Sequence, residues 1–367
     1  MRVQVVDPPA FTPPYDRALC AALADAGADV ELVTSRFEYG PVPVADGYRV
    51  AELFYRRSTE RGLEAPGRRG LRLAEHVPGM RRLRAHAEAS DVVHLQWLSV
   101  PDLDRFLLPG RPRVFTVHYP LPNSAGARKR QRGLLSRMDG LIAHSEHGAA
   151  ELRSLVADPT RVHRIPHGAF EHLTHQADER PLPGELAAVE GPVILCFGLV
   201  RPYKGVDVLL EAFAEVSGAE LWVVGMPRMN LAELRRLAER CPGTVRFVDR
   251  FITDPEIPAF FRRADLVVLP YRRIEQSGVL YTALAFGNVI VASAIGGFTE
   301  IGERDAALRL VPPGDPPALA AELTELLGDP AARAELAAAA TAAATGPYSW
   351  EDIARRTLDV YRPLVAG

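Results

Sequence analysis

The amino-acid sequence predicts two doubly wound α/β domains, each a parallel sheet with helices on both faces. Three observations carry that expectation. Short continuous apolar runs recur along the chain, as strands buried on both faces require. Amphipathic stretches of helical period fill the gaps between them. A polar, proline-bearing interruption, Gln176 to Gly191, splits the series in two, and 367 residues leave room for two cores.

The first half opens with the β-branched run Val3–Val6, followed by a proline-rich loop from Pro8 to Pro14. Tyr15 to Ala26 reads as a helix with Leu19, Ala22 and Leu23 on one face, and Gly27 stands where a helix ends. Val30–Val33 is the next strand, completing one βαβ unit. Further strands are expected at Val92–Leu95, Val114–Val117 and Leu141–Ala143. In the second half the runs are Val193–Phe197, Glu220–Val224, Thr244–Phe247, Leu266–Leu269, Val289–Ala292 and Leu308–Val311. Between them, Val206 to Val216 places Val206, Leu209, Leu210 and Phe213 on one helical stripe. An alanine-rich helix (Ala331 to Thr345), a break at Gly346-Pro347 and an amphipathic segment from Trp350 to Leu364 close the chain. The expected organisation is a domain over 1–175, a linker over 176–191, a second domain over 192–346, and a terminal helix over 347–367 packing back on the first. Ligands of such folds bind at the carboxyl ends of the strands, and the cleft between two domains is the default site.

Composition narrows the function. Hydrophobic residues make up 47% and charged residues 24%, ordinary for a globular chain. A formal net charge of −3 lacks the basic excess of a nucleic-acid binder. Cys20, Cys196 and Cys241 are widely spaced and read as reduced core residues, with neither a disulfide framework nor a zinc site. Val3–Val6 is too brief for a secretion signal, and no apolar stretch reaches the ~20 residues of a membrane span. The expectation is a cytoplasmic protein that at most lies on the inner membrane surface.

Four constellations carry candidate chemistry. Phe197-Gly198-Leu199-Val200-Arg201-Pro202-Tyr203-Lys204-Gly205 joins a strand to a helix. Arg201 offers a planar fork of donors and Lys204 a compact charge, beside free N–H groups of a helix start, which together suit a diphosphate. The same residues also fit a solvated turn with two surface charges. Glu275-Gln276-Ser277-Gly278-Val279 precedes another helix. There Ser277 is a good N-cap, Gly278 lets a ligand approach backbone N–H groups, and Glu275 suits sugar hydroxyls; an N-capped helix with an incidental acid is the plainer alternative. Ala294-Ile295-Gly296-Gly297-Phe298-Thr299-Glu300 follows a strand as a loop whose glycines permit a sharp turn or close backbone contact. Thr116-Val117-His118-Tyr119-Pro120 ends a strand of the first half, where His118 is either structural, a general base, or a sugar contact.

Taken in order, Phe197-Gly198 through Lys204-Gly205, Ser277-Gly278-Val279 and Gly296-Gly297 to Glu300 resemble the C-terminal half of GT-B-fold glycosyltransferases of family 4. Ile165-Pro166-His167-Gly168 and Ser349-Trp350 extend the resemblance over nearly the whole chain. It implies two Rossmann-like domains facing a cleft. It implies a retaining hexosyltransferase moving a sugar from a nucleoside diphosphate to a hydroxyl of a glycan, lipid-linked or secondary-metabolite acceptor. Arg201 and Lys204 would neutralise the leaving diphosphate, Ser277, Gly278 and Val279 would bind it, and His118 would meet the donor sugar near the reacting carbon. Gly198, Gly296, Gly297 and Glu300 complete the expected donor site, and Glu275 the catalytic set. As the anomeric bond breaks, charge grows on the diphosphate, and preorganised cations and N–H donors stabilise it. No acidic pair of the metal-binding kind stands at a strand end here, so positive side chains are expected in place of a metal, with no cofactor.

The sequence also departs from the family pattern. The second glutamate that usually follows the Glu275 segment falls on Ala283 or Thr282. Leu199 occupies the position where many relatives carry arginine, so Arg201 is its replacement. Arginine-rich stretches (Arg56-Arg57 through Arg84, and Arg128-Lys129-Arg130 with Arg132) suit either anionic lipid or solvated helix faces balanced by Glu60, Glu64 and Glu75. Two other functions fit the same features, a nucleotide-sugar epimerase and a non-catalytic sugar-nucleotide binder.

Overall fold

The computed structural model of the chain describes residues 1–40, 42–63, 65–110, 112–118, 124–273 and 276–366. The first unit comprises Met1–His167 with Trp350–Gly367, and the second Gly168–Ser349. Each is built on a wholly parallel sheet.

The strands of the first unit are β1 (Arg2–Asp7), β2 (Asp29–Ser35), β3 (Arg49–Phe54), β4 (Val92–Leu95), β5 (Arg113–Thr116), β6 (Gly140–Ala143) and β7 (Val162–Arg164). Their spatial order is β3-β2-β1-β4-β5-β6-β7. Val3 of β1 pairs with Val30 on one side and Val92 on the other, and all three are buried. The chain steps outward from β1 to β3 and then resumes on the opposite side of β1. The loops that follow β1 and β4 therefore leave toward opposite faces and open a crevice. β3 and β7 were not among the expected strands. β3 is an edge strand in which only Phe54 is buried, and β7 has three residues, so neither shows the continuous apolar run of a central strand.

The second unit holds β8 (Val193–Phe197), β9 (Glu220–Val224), β10 (Val245–Val248), β11 (Leu266–Leu269), β12 (Val289–Ser293) and β13 (Arg309–Val311), in the order β10-β9-β8-β11-β12-β13. Its reversal lies between β8 and β11. Ile194, Val268 and Val291 of the sheet pack with Leu209 and Phe213 of the helix Val206–Phe213 and Leu323 of the helix Pro316–Gly328.

Several boundaries differ from expectation. The first unit ends at His167 rather than residue 175. The stretch expected as a linker, 176–191, lies within the second unit. It carries the short helix Gly184–Ala187 with Leu186 buried, Arg180 N–H donates to the Pro255 carbonyl at 2.8 Å, and Arg263 donates to the Val189 carbonyl at 2.8 Å. Backbone bonds tie it down despite its polar composition. The first helix begins at Pro13, because prolines in a first turn give up N–H groups that have no helical partner. The last helix, Trp350–Ala366, belongs to the first unit. It packs along Pro13–Asp25, buries Ile353, Leu358 and Tyr361, and bonds His94 of β4 through the Tyr361 hydroxyl at 2.5 Å.

One glycine fixes the loop after β8. Gly205 has φ +67°, and a Cβ there would lie 2.0 Å from the Pro270 carbonyl oxygen at the end of β11. Gly205→Ala must both strain the backbone and push two strand ends apart, and it is expected to destabilise the second unit by about 3 kcal/mol. A urea midpoint equal to wild type would show that the loop can withdraw from β11.

Candidate active site

The reversal between β8 and β11 assembles one cluster of polar groups. Gly198, the residue after β8, has φ +102°, and a Cβ there would come within 3.3 Å of the Lys204 amine and 3.0 Å of Val279. The absence of that Cβ lets Lys204 fold back against the strand end. Lys204 is 7% exposed, its Nζ donates to the Tyr271 hydroxyl, and it lies 4.4 Å from the centre of the Tyr271 ring. Among the described residues no carboxylate pairs with it. Burial lowers the amine to about 8, and the charge of Arg201 adds to that effect. Burying the cation is costly, and the amine therefore attracts any anion that reaches it.

Tyr271 is fully buried, and its hydroxyl lies 3.3 Å from Ser277 Oγ. Ser277 does occupy the N-cap position of the helix Gly278–Ala285, yet its hydroxyl makes no capping bond. The expected cap is thus not made, and the hydroxyl lies instead beside Tyr271. The first N–H groups of this helix, at Gly278 and Val279, lie before its first intrahelical bonds. Gly296 and Gly297 open the helix Gly296–Asp305 rather than forming a loop. Phe298 of that helix packs on Tyr271 with ring centres 5.5 Å apart. Glu300 follows in the same helix and acts electrostatically on Arg304. Thr282 donates its hydroxyl to the Gly278 carbonyl at 2.9 Å, and Ala283 is in the core, so neither replaces the missing glutamate.

Lys204, Gly198, Ser277 and Val279 are therefore brought together, with Gly278 beside them. Arg201 is exposed just ahead of the short 3₁₀ turn Pro202–Lys204 and bonds to it through its carbonyl, 3.0 Å from Lys204 N. Glu275 lies outside the described residues. Tyr271 was missed in the sequence; its signal, an aromatic directly after Pro270 at a strand end, has no chemistry until Lys204 is placed against it.

In the first unit the carboxyl edge of the sheet gathers histidines from successive strands. His94 lies in β4, while His118, His144 and His167 follow β5, β6 and β7. Tyr15 contacts three of them, with ring centres 4.9 Å from His118, 5.4 Å from His144 and 4.8 Å from His167. His118, half-buried, has Nε2 2.8 Å from Gln96 Oε1 and Nδ1 3.1 Å from His144 Nε2; it stacks on Trp97. Burial and the neighbouring histidines hold it well below its ordinary value. At the end of β1, Asp7 accepts from Thr12 N–H at 3.1 Å, and burial raises both it and the neighbouring Asp16. Among the basic residues, Arg68 and Arg72 share Glu38, and Arg128 and Arg130 face Glu151 and Asp102. Glu75 instead accepts the Arg57 and Ser58 backbone N–H groups.

Residues 17–169 match Glycosyltransferase Family 4, and residues 191–329 match Glycosyl transferases group 1. The chain is 31% identical to a D-inositol 3-phosphate glycosyltransferase of Xylanimonas cellulosilytica, over 95% of this chain and 90% of that protein. It is 26% identical to an MMP alpha-(1->4)-mannosyltransferase of Mycolicibacterium hassiacum, over 96% and 94%. In fold it is similar to a sucrose-phosphate synthase of Thermosynechococcus elongatus (TM-score 0.76, 21% identity, covering 100% of this chain and 99% of that one). It is equally similar to Anabaena HepE in complex with UDP-glucose (TM-score 0.76, 19% identity, 99% and 100%). No described helix is long and apolar enough to cross a membrane.

The histidine cluster has a measurable consequence. Burial pushes His94 down to about 3 and His144 down to about 4, against an ordinary 6.5. Between about pH 4 and 6.5 these two rings bind protons in the unfolded chain and not in the folded one, so the stability they contribute falls as pH falls through that window, against the opposite effect of the raised Asp7 and Asp16. The melting temperature is expected to drop from pH 7 to pH 5, and His144→Asn to flatten that dependence. Equal slopes would place the protons elsewhere.

Proposed function

This chain belongs to glycosyltransferase family 4, and from that premise we propose a retaining enzyme that transfers a sugar from a nucleoside-diphosphate donor to an acceptor hydroxyl. The observation that carries the reading is the buried Lys204 amine, held by Tyr271 and without a carboxylate partner among the described residues. A group at about 8 is mostly cationic at neutral pH, and the leaving diphosphate supplies the missing negative charge. Arg201 adds a second cation from the adjacent turn. Ser277 Oγ and the Gly278 and Val279 N–H groups add neutral donors at a helix start, where the dipole favours an anion. HepE in complex with UDP-glucose supports a nucleotide sugar as donor class.

The acceptor is assigned to the carboxyl edge of the first unit's sheet, where Asp7, Gln96, Trp97 and His118 gather. Relatives named for inositol 3-phosphate support a polyhydroxylated acceptor. The epimerase and binding-protein alternatives have no observation on their side, since the relatives are named as transferases.

Lys204→Ala is expected to lower kcat by about 10²–10³-fold, the scale of losing one oxyanion-type donor. Near-wild-type turnover would remove Lys204 from the diphosphate site. Since the amine loses its proton above about pH 8, UDP or GDP affinity should fall between pH 7 and 9.5, with proton uptake on binding by calorimetry near pH 8.5. Lys204→Arg, which cannot deprotonate there, should bind with no such dependence.

A further inference from the structure

The residue that follows β3, Tyr55, has φ 51° and ψ 30°. A bulky side chain rarely occupies that left-handed region, and such residues persist where the surroundings hold them for a purpose. The Tyr55 hydroxyl lies 2.7 Å from His76 Nδ1 and 2.8 Å from Ser99 Oγ. His76 Nε2 meets Asp104 Oδ1, and Asp104 Oδ2 accepts the Val100 N–H at 2.9 Å. Four side chains from three segments thus form one line, Asp104–His76–Tyr55–Ser99. The first three are at most 1% exposed, whereas Ser99 is half-buried. The line therefore has a closed end in the core and an open end just beyond β4, at the sheet edge where ligands of such folds bind.

The direction of the bonds follows from counting hydrogens. Tyr55 has one hydroxyl hydrogen and donates it to Ser99 Oγ. With that hydrogen spent on Ser99, the Tyr55 oxygen is left to accept from His76 Nδ1, and His76 Nε2 faces Asp104. From His76 Nδ1 through Tyr55 to Ser99 the bonds point outward. Ser99 Oγ accepts from within, and its own hydrogen has no partner among the described residues. A hydroxyl that accepts a bond becomes a stronger donor. On the same edge, the Arg72 guanidinium lies 4.1 Å from the Tyr55 ring centre, and the Trp97 ring carries Phe11, 64% exposed, at 5.3 Å. Aromatic faces beside directed polar hydrogens fit a polyhydroxylated ring.

We propose that Ser99 Oγ donates a hydrogen bond to the acceptor, a sugar or cyclitol, and that Tyr55, His76 and Asp104 are positioning residues that aim it. This rests on the reading of the first unit's edge as the acceptor side.

The test uses the full chain with UDP-glucose and GDP-mannose as donors. The acceptors are glucose, mannose, myo-inositol and inositol 3-phosphate. Ser99→Ala and Tyr55→Phe should each raise the acceptor KM about tenfold, and the double variant no further, because the two act as one unit. Donor KM and hydrolysis of donor without acceptor should stay at wild-type values in Ser99→Ala, which carries the test if Tyr55→Phe fails to fold. An unchanged acceptor KM in Ser99→Ala overturns the proposal. So does a wild-type enzyme that binds a nucleotide but transfers to no member of the panel. Failure of both donors and of UDP and GDP to bind overturns the donor reading and, with it, this one.

Discussion

The arrangement of this chain depends on one constraint, the reversal of strand order within a parallel sheet. In the second unit β8 and β11 are neighbours, yet the helices after them lie on opposite faces, so their carboxyl ends cannot be covered by the same layer. Lys204 enters that gap, and Gly198 and Gly205 are the positions at which the backbone must lack a Cβ for it to do so. The position of the amine therefore follows from topology first and from local sequence second. The same reversal between β1 and β4 in the first unit leaves Asp7, Gln96 and Trp97 at the corresponding edge.

The two edges solve the problem of buried polar groups in opposite ways. The second unit keeps a cation out of water with a phenol in place of a carboxylate, which leaves its charge uncompensated until an anion arrives. The first unit holds His94, His118 and His144 below their ordinary value by burying them together, with His144 donating to the Ile165 carbonyl at 3.0 Å and His94 meeting the Thr116 hydroxyl at 2.7 Å. One edge is poised for charge, the other for directed hydrogen bonds.

The central strands of the second half, β8, β9, β11 and β12, were legible in the sequence, since strands covered on both faces read as apolar runs. β3 was not, because its edge position frees it from that pattern. Lys204 was legible from its place between a strand and a helix, but its partner Tyr271 is 67 residues away and becomes visible only once β8 and β11 are neighbours. Ser277 shows the limit of local reading: a serine before a helix signals a cap, and only the fold reveals the hydroxyl beside Tyr271 with no capping bond. In the sequence His118 reads by itself, apart from His94, His144 and His167. Their grouping is a product of β4, β5, β6 and β7 lying side by side, which no spacing encodes.

The last helix has a consequence for how the chain comes to be folded. Residues 168–349 form a contiguous insert within the first unit, whose core is closed by Trp350–Ala366 against Pro13–Asp25. During synthesis the insert has all of its own strands before the opening residues have their final helix. Domains generally fold as they emerge, the N-terminal one first. Here the order is inverted: the unit that begins the chain is the last to be completed, and Tyr15 and His94 wait for Trp350 and Tyr361 before they are shielded from water.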